Sequence, residues 1–123
     1  MNTTLWVLQC ITALAFLYSG INKSLLSEQK LVASGQTGVE GLPLPFIRFI
    51  AISEILGAIG IILPALLNIL PVLTPVSAIG FAIIMVPAAI IHYKRKENRN
   101  VLTNCILFII SLIIAYGRIV LTR

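Results

Sequence analysis

The sequence predicts an all-α integral membrane four-helix bundle. Three observations carry that prediction. Four long apolar runs fill most of the 123 residues, hydrophobic residues make up 59% of the chain against 11% charged, and the mean hydropathy is +1.04. A soluble domain is nearer 45–50% apolar and about 25% charged. Four spans of roughly 20 residues use about 80 residues. The remainder suffices for connections but not for a soluble domain. One membrane domain over residues 1–123 is expected, with its core between helices.

The first span reads from about Leu5 to Ile21 and ends at Asn22-Lys23. It lacks a basic n-region and an Ala-x-Ala-like boundary, so it reads as a retained helix rather than a cleaved signal. The first connection, about Asn22 to Leu44, is the long one. Within it Ser24 to Ser34 suits a short interfacial helix with Leu25, Leu26, Leu31 and Val32 toward lipid. Gly35-Gln36-Thr37-Gly38 and Gly41 read as flexible loop. The second span starts near Pro45, where a missing N–H does no harm at a helix start, and stops at Pro64 after about Leu63. The third runs from about Val72 to Ile91 and ends in His92-Tyr93-Lys94. Pro75 belongs near its first turn, and Pro87 is expected to kink its last. The fourth runs from about Val101 to Leu121.

Four spans place both termini on one side of the membrane. Lys23 and Lys30 belong to the first connection, and Lys94, Arg95, Lys96 and Arg99 to the third. The second connection, around Leu67-Asn68-Ile69-Leu70, has no basic residue, and neither does the N-terminal tail. Arg118 and Arg123 lie at the far end. The positive-inside rule then puts the first and third connections in the cytoplasm and the termini outside. The net charge of +5 comes largely from that basic face. It suits lipid headgroups rather than nucleic acid.

Helical spacing sorts the remaining residues. Gln9, Thr12, Phe16, Ser19 and Lys23 share one face of the first span, beside Gly20. Ala51, Glu54, Gly57 and Ala58 share a face of the second. Ala78, Ala82, Met85, Ala89 and His92 form a stripe on the third, and Asn104, Ser111, Ala115 and Arg118 on the fourth. Small residues allow close helix approach in lipid, and polar ones belong inside the bundle. Each stripe is therefore expected to face inward. Thr12, Ser19 and Ser111 are expected to bond back to their own helix carbonyls.

Glu54 is the residue that demands an explanation. A carboxylate near the bilayer centre costs about 2.5–3.5 kcal/mol on insertion scales. It must be paired, protonated or open to a wet cavity. Arg48, six positions earlier, points away from its face, so partners are sought on other helices: Lys23 and His92, both at the basic end. Glu54 lies roughly 12 Å below that surface by helical rise, which puts Lys23 within reach only through helix tilt or a water. His92 suits a headgroup neighbour. Glu54, Lys23, Arg48 and His92 form the expected intramembrane polar cluster. Arg118 is expected to snorkel outward and bond Gln9 or a carbonyl, with Trp6 and Tyr116 as interface anchors. Cys10 and Cys105 differ in depth by roughly 15 Å, beyond the Cα separation of about 7 Å that a disulfide tolerates, so two free thiols are expected. The chain carries no Gly-rich phosphate loop, zinc spacing or dinucleotide fingerprint, and no metal ligand set is assigned.

Phe16-Leu17-Tyr18-Ser19-Gly20-Ile21-Asn22-Lys23, the run Arg48 to Gly60, the Pro64 exit, His92 at the end of the third span and Tyr116-Gly117-Arg118 together resemble the DoxX-like membrane proteins. The resemblance covers nearly the whole chain. It implies a four-helix membrane bundle. The expected location is the plasma membrane of a bacterium. The family takes its name from subunits associated with a thiosulfate:quinone oxidoreductase, and related members have redox or assembly roles. Three readings follow. One is a polar pocket on Glu54 and Lys23 that takes a quinone or a lipid, or supports a membrane redox complex. Another is an assembly or interaction subunit, docking a membrane protein partner or a second copy of itself. The third, a proton-linked carrier, is disfavoured because no inverted repeat is visible.

Overall fold

The computed structural model describes residues 2–121. Helix α1 spans Asn2–Leu25, α2 Glu28–Ala33, α3 Leu44–Leu67, α4 Leu73–Lys94 and α5 Asn98–Tyr116. A 3-10 turn over Thr37–Val39 lies between α2 and α3, and a π-helical turn over Gly117–Leu121 extends α5. Helices α1, α3, α4 and α5 are each long and apolar enough to cross a membrane. The chain is a multi-pass integral membrane protein with an all-α fold. Arg123, which the charge reading placed at the far end, lies outside the described residues.

The small stripes do face inward. Phe16, Ala78, Phe81, Met85, Ile114 and Ala115 form the central core. The Phe16 and Phe81 rings stack with centroids 3.8 Å apart and planes 2° from parallel. Leu14, Phe49 and Ile83 point outward. Helix α1 packs chiefly on α3, and α4 on α5. At the α1–α3 crossing a Cβ on Gly20 would stand 2.7 Å from Ile55 Cγ1 and 3.0 Å from the Ala51 carbonyl oxygen. Only glycine lets these two backbones come so close.

Two expectations about proline and the first connection are corrected. Pro64 does not stop α3; it is buried inside the helix, which runs on to Leu67 and ends at Asn68 in the left-handed region, φ 54°. Proline removes the N–H that would bond the carbonyl of Gly60. The Thr74 hydroxyl of α4 donates to that carbonyl at 3.3 Å, and the Gln9 amide of α1 donates to the neighbouring Ile61 carbonyl at 2.7 Å. The hydroxyl from α4 thus re-satisfies the carbonyl that proline frees, which is how membrane helices tolerate it. Pro75 does sit in the first turn of α4, and Pro87 lies in its interior.

The first connection is not a loose loop. Helix α2 is N-capped by Ser27, whose hydroxyl accepts from the Lys30 N–H. Leu31 turns away from lipid and is fully buried with Val39 and Ile47 in a second small core, flanked by Leu26 and Leu42. Leu25 alone of the expected lipid-facing leucines is strongly exposed. Gly35 and Gly41 take φ of 102° and 85°, a backbone region open to glycine. They let residues 36–40 fold across the basic end of the bundle.

Candidate functional site

Polar side chains gather at two ends of the bundle. At the basic end Glu54 is 3% exposed and accepts from Lys23 Nζ at 2.9 Å. Ser19 Oγ lies 3.2 Å from the same carboxylate oxygen and 3.3 Å from Gln36 Oε1. Lys23 reaches Glu54 directly, without the bridging water that the sequence allowed for. The depth difference is small because α1 continues past Lys23 to Leu25. Gly20, packed against Ala51 and Ile55, sets the register, so Lys23 is only three residues, about 4.5 Å, above the level of Glu54. Side chains lean toward the N-terminus of their own helix. In this antiparallel pair that tilts Lys23 down and Glu54 up, toward one another.

Arg48 joins this group by a different route from the acid. Its Nη1 donates to the carbonyl of Lys23 and, at 3.0 Å, to that of Leu26. The last carbonyls of α1 have no helical N–H to meet, and a cation suits that end of the helix dipole. Arg48 therefore caps α1 just where Lys23 leaves it.

His92 does not complete the cluster around Glu54. Its Nδ1 is 2.8 Å from Glu97 Oε1, and its ring lies against Gly38, where a Cβ would come within 3.2 Å of Nε2. Thr37 donates to the other Glu97 oxygen at 2.6 Å, and Arg95 lies 3.4 Å from both Glu40 and Glu97. The ring is mostly buried by the first connection rather than set among headgroups. The Thr37 hydrogen bond first, then that of His92, hold the Glu97 carboxyl below the ordinary carboxylate value. Thr37, Gln36 and Glu97 were not anticipated from sequence. The signal available for Glu97 is an acid within the run Lys94-Arg95-Lys96-Glu97-Asn98-Arg99. For Thr37, 60 residues away, no local signal exists.

At the opposite end Arg118 meets Gln9 as expected. Its Nε donates to Gln9 Oε1 at 2.7 Å, and Nη1 donates to Asn2 Oδ1 at 2.7 Å. The guanidinium stands over the Trp6 ring, 5.2 Å from its centroid, within cation–π range. Gln9, fully buried, joins α1, α3 and the π turn through its two amide atoms. The cavity that opens here measures about 520 Å³. It is framed by Trp6, the second connection at Asn68 and Val72, and Arg118.

Three expectations about smaller groups resolve separately. Thr12 and Ser111 do not bond back to their helices; their hydroxyls are buried without a hydrogen-bond partner among the described residues. Ser24, Ser53 and Thr103 make that bond instead, to Gly20, Phe49 and Arg99 carbonyls. Cys10 and Cys105 are both free and exposed.

The chain matches the DoxX-like family over residues 7–114. That range takes in most of each of the four apolar helices, and the chain belongs to this family. No curated protein and no solved structure compared with it matches.

Proposed function

Starting from membership of the DoxX-like family, we propose that the protein is a non-catalytic assembly subunit of a membrane complex, with its basic end toward the cytoplasm. Gly80, on the outer face of α4, carries this reading. A glycine inside a helix is less stable than alanine by up to about 1 kcal/mol. The other helical glycines each meet a neighbouring helix: Gly20 lies on α3, Gly57 on Phe81, Gly60 on Ser77 and Gly117 on Leu5. A Cβ on Gly80 would meet nothing within 4 Å. Val76 and Ile83 flank it on the same exposed face. Internal packing does not account for this notch; a helix from another chain does, because small residues permit the close approach that drives association in lipid.

The state of Glu54 agrees with that role. Its charge meets Lys23 and the Ser19 hydroxyl inside the bundle, so it ties α1 to α3. Buried pairs of this kind specify an arrangement more than they stabilise it.

Native electrophoresis from a mild detergent tests the proposal. The wild-type chain is expected in an assembly well above the 13.4 kDa of one copy. Gly80→Leu is expected to release it as a monomer of unchanged helicity. A wild-type monomer, or an assembly indifferent to Gly80→Leu, overturns the reading. The organic extract of Glu54→Gln supplies an independent arm. Loss of a stoichiometric quinone from that variant would replace the assembly role with a pocket on Glu54.

A further inference from the structure

We propose that residues 36–40 form a lid over Glu54 that carboxylates latch shut, so that acid at the basic end opens it and admits water to the intramembrane acid. The proposal does not rest on the assembly role, which stands on Gly80 at the outer face of α4.

The placement of the acids carries it. The chain has four acidic residues. Three of them, Glu28, Glu40 and Glu97, fasten one short segment. Glu97 accepts the Thr37 hydroxyl at 2.6 Å, Glu40 pairs with Arg95 at 3.4 Å, and Glu28 accepts the Gly41 N–H at 2.8 Å. The fourth, Glu54, lies beneath the segment. Gln36 Oε1 is 3.3 Å from Ser19 Oγ, and Ser19 Oγ is 3.2 Å from Glu54 Oε1. Successive residues thus reach opposite ways, Gln36 down toward the intramembrane acid and Thr37 across to Glu97. An exposed charged contact contributes little by itself. Three of them on one segment act together.

The segment is also built to hinge. Gly35 and Gly41 bound it, with φ of 102° and 85°, and a Cβ on either would meet nothing within 4 Å. Both ends therefore have backbone freedom and room to turn. Val39 anchors the segment through its packing with Leu31 and Ile47. Gln36, Thr37 and Gly38 are held by the polar bonds and by the His92 ring against Gly38.

The groups around the latches make acid the opening signal. Glu97 is faced by Thr37 from the connection and by His92 and Arg95 from α4. Glu40 is faced by Arg95, and Glu28 by the Gly41 N–H. Beneath the lid Glu54 is faced by Lys23 and Ser19 from α1. Protonating Glu97 and Glu40 removes the anions that Arg95 and His92 meet, and sets the guanidinium beside a cationic imidazole. Carboxylates that hold the closed form do so while ionised, and their contribution is lost as pH falls through their folded values. The Thr37 bond, followed by that of His92, holds the Glu97 carboxyl below the ordinary value, which keeps this latch closed at neutral pH.

Thiol reactivity at position 19 reads the lid directly. In the full chain with Cys10→Ala and Cys105→Ala, Ser19→Cys places a thiol between Gln36 and Glu54. Tyr93→Cys, made separately, supplies an exposed reference at the same end. Each is placed in nanodiscs of neutral lipid and treated with a charged, membrane-impermeant methanethiosulfonate at about pH 7, where free carboxylates are ionised. Ser19→Cys is expected to react at least tenfold more slowly than Tyr93→Cys. Adding Glu28→Gln, Glu40→Gln and Glu97→Gln releases the latches at constant pH. That should speed Ser19→Cys fivefold or more and leave Tyr93→Cys within twofold. A Ser19→Cys thiol as reactive as the reference with the latches intact overturns the proposal, as does a rate indifferent to their loss. A rise shared equally by Tyr93→Cys reports general loosening and also overturns it. Should the triple variant lose its helicity, the latched chain decides, with dithiodipyridine as a reagent that still reacts in acid. The ratio of the Ser19→Cys rate to the Tyr93→Cys rate should rise fivefold or more between about pH 7 and about pH 3, across the carboxylate range. A constant ratio overturns the lid.

Discussion

The two ends of the bundle treat charge in opposite ways. At the basic end each buried or half-buried charge is met from inside the chain. Lys23 meets Glu54, Arg48 meets the carbonyls that end α1, and His92 and Arg95 meet Glu97. Residues 36–40 fold across the top and close it. At the other end one guanidinium is held by two neutral amides and an indole ring at the edge of an open cavity. A closed set of charges specifies an arrangement of helices. The conspicuous intramembrane acid therefore belongs to a closed set of charges, and the less conspicuous arginine is oriented by neutral groups beside a cavity.

The largest effect should come from breaking the closed end. Lys23→Met leaves Glu54, 3% exposed, without its cation. Removing one partner of a buried pair typically costs about 3–5 kcal/mol. The double variant Lys23→Met with Glu54→Leu removes both charges and should recover most of that loss, because an apolar replacement of a buried pair is often neutral. Reversible unfolding in mixed micelles checks both. A double variant as unstable as the single one would mean that the pair does more than tie α1 to α3.

Much of this was readable in the sequence, for identifiable reasons. Hydropathy set the four spans, since a bilayer demands about 20 apolar residues per crossing. Helical spacing placed Gln9, Glu54 and Arg118 on inward faces, and the Arg118–Gln9 bond followed from their shared end of the bundle. The sequence misled where a contact depends on register or on another segment. Lys23 looked too high for Glu54 because the close crossing at Gly20 was not visible. Pro64 looked like a stop because its rescuer, Thr74, lies on another helix. His92 looked exposed because nothing local indicates that Gly38 and Thr37 fold back over it. The cavity at Arg118 is made by three chain segments distant in sequence, so no single stretch could announce it.

A smaller effect tests how the proline in α3 is tolerated near the open end. Thr74→Val removes the hydroxyl that bonds the Gly60 carbonyl, and a loss of about 1 kcal/mol is expected. Pro64→Ala restores a helical N–H to that carbonyl. In the Pro64→Ala background Thr74→Val should therefore cost clearly less, and the difference in a double-mutant cycle measures the rescue. Equal costs in both backgrounds would show that the threonine contributes packing alone.

The smallest effect concerns the cover over the closed end and its response to acid. Glu97 accepts from Thr37 and is paired with His92, and these bonds hold its carboxyl below the ordinary value. A group with a depressed folded value contributes its full stabilisation above the unfolded value and loses it as pH falls through the folded one. Residues 36–40 should accordingly stay protected from amide exchange at neutral pH and lose protection only below the usual carboxylate value of about 4.3. The groups that face Glu97 set the direction of the change. Thr37, His92 and Arg95 all favour the ionised form, whereas Glu40 reaches it only through Arg95. Thr37→Val deletes the strongest of these influences, so the acid-sensitive part of the protection should be smaller and its loss complete at higher pH than in the wild type. Titration of the Glu97 carboxyl by NMR provides the matching site-specific value. An unchanged exchange profile in Thr37→Val would show that the cover is held by the Leu31–Val39–Ile47 core rather than by the charges beneath it.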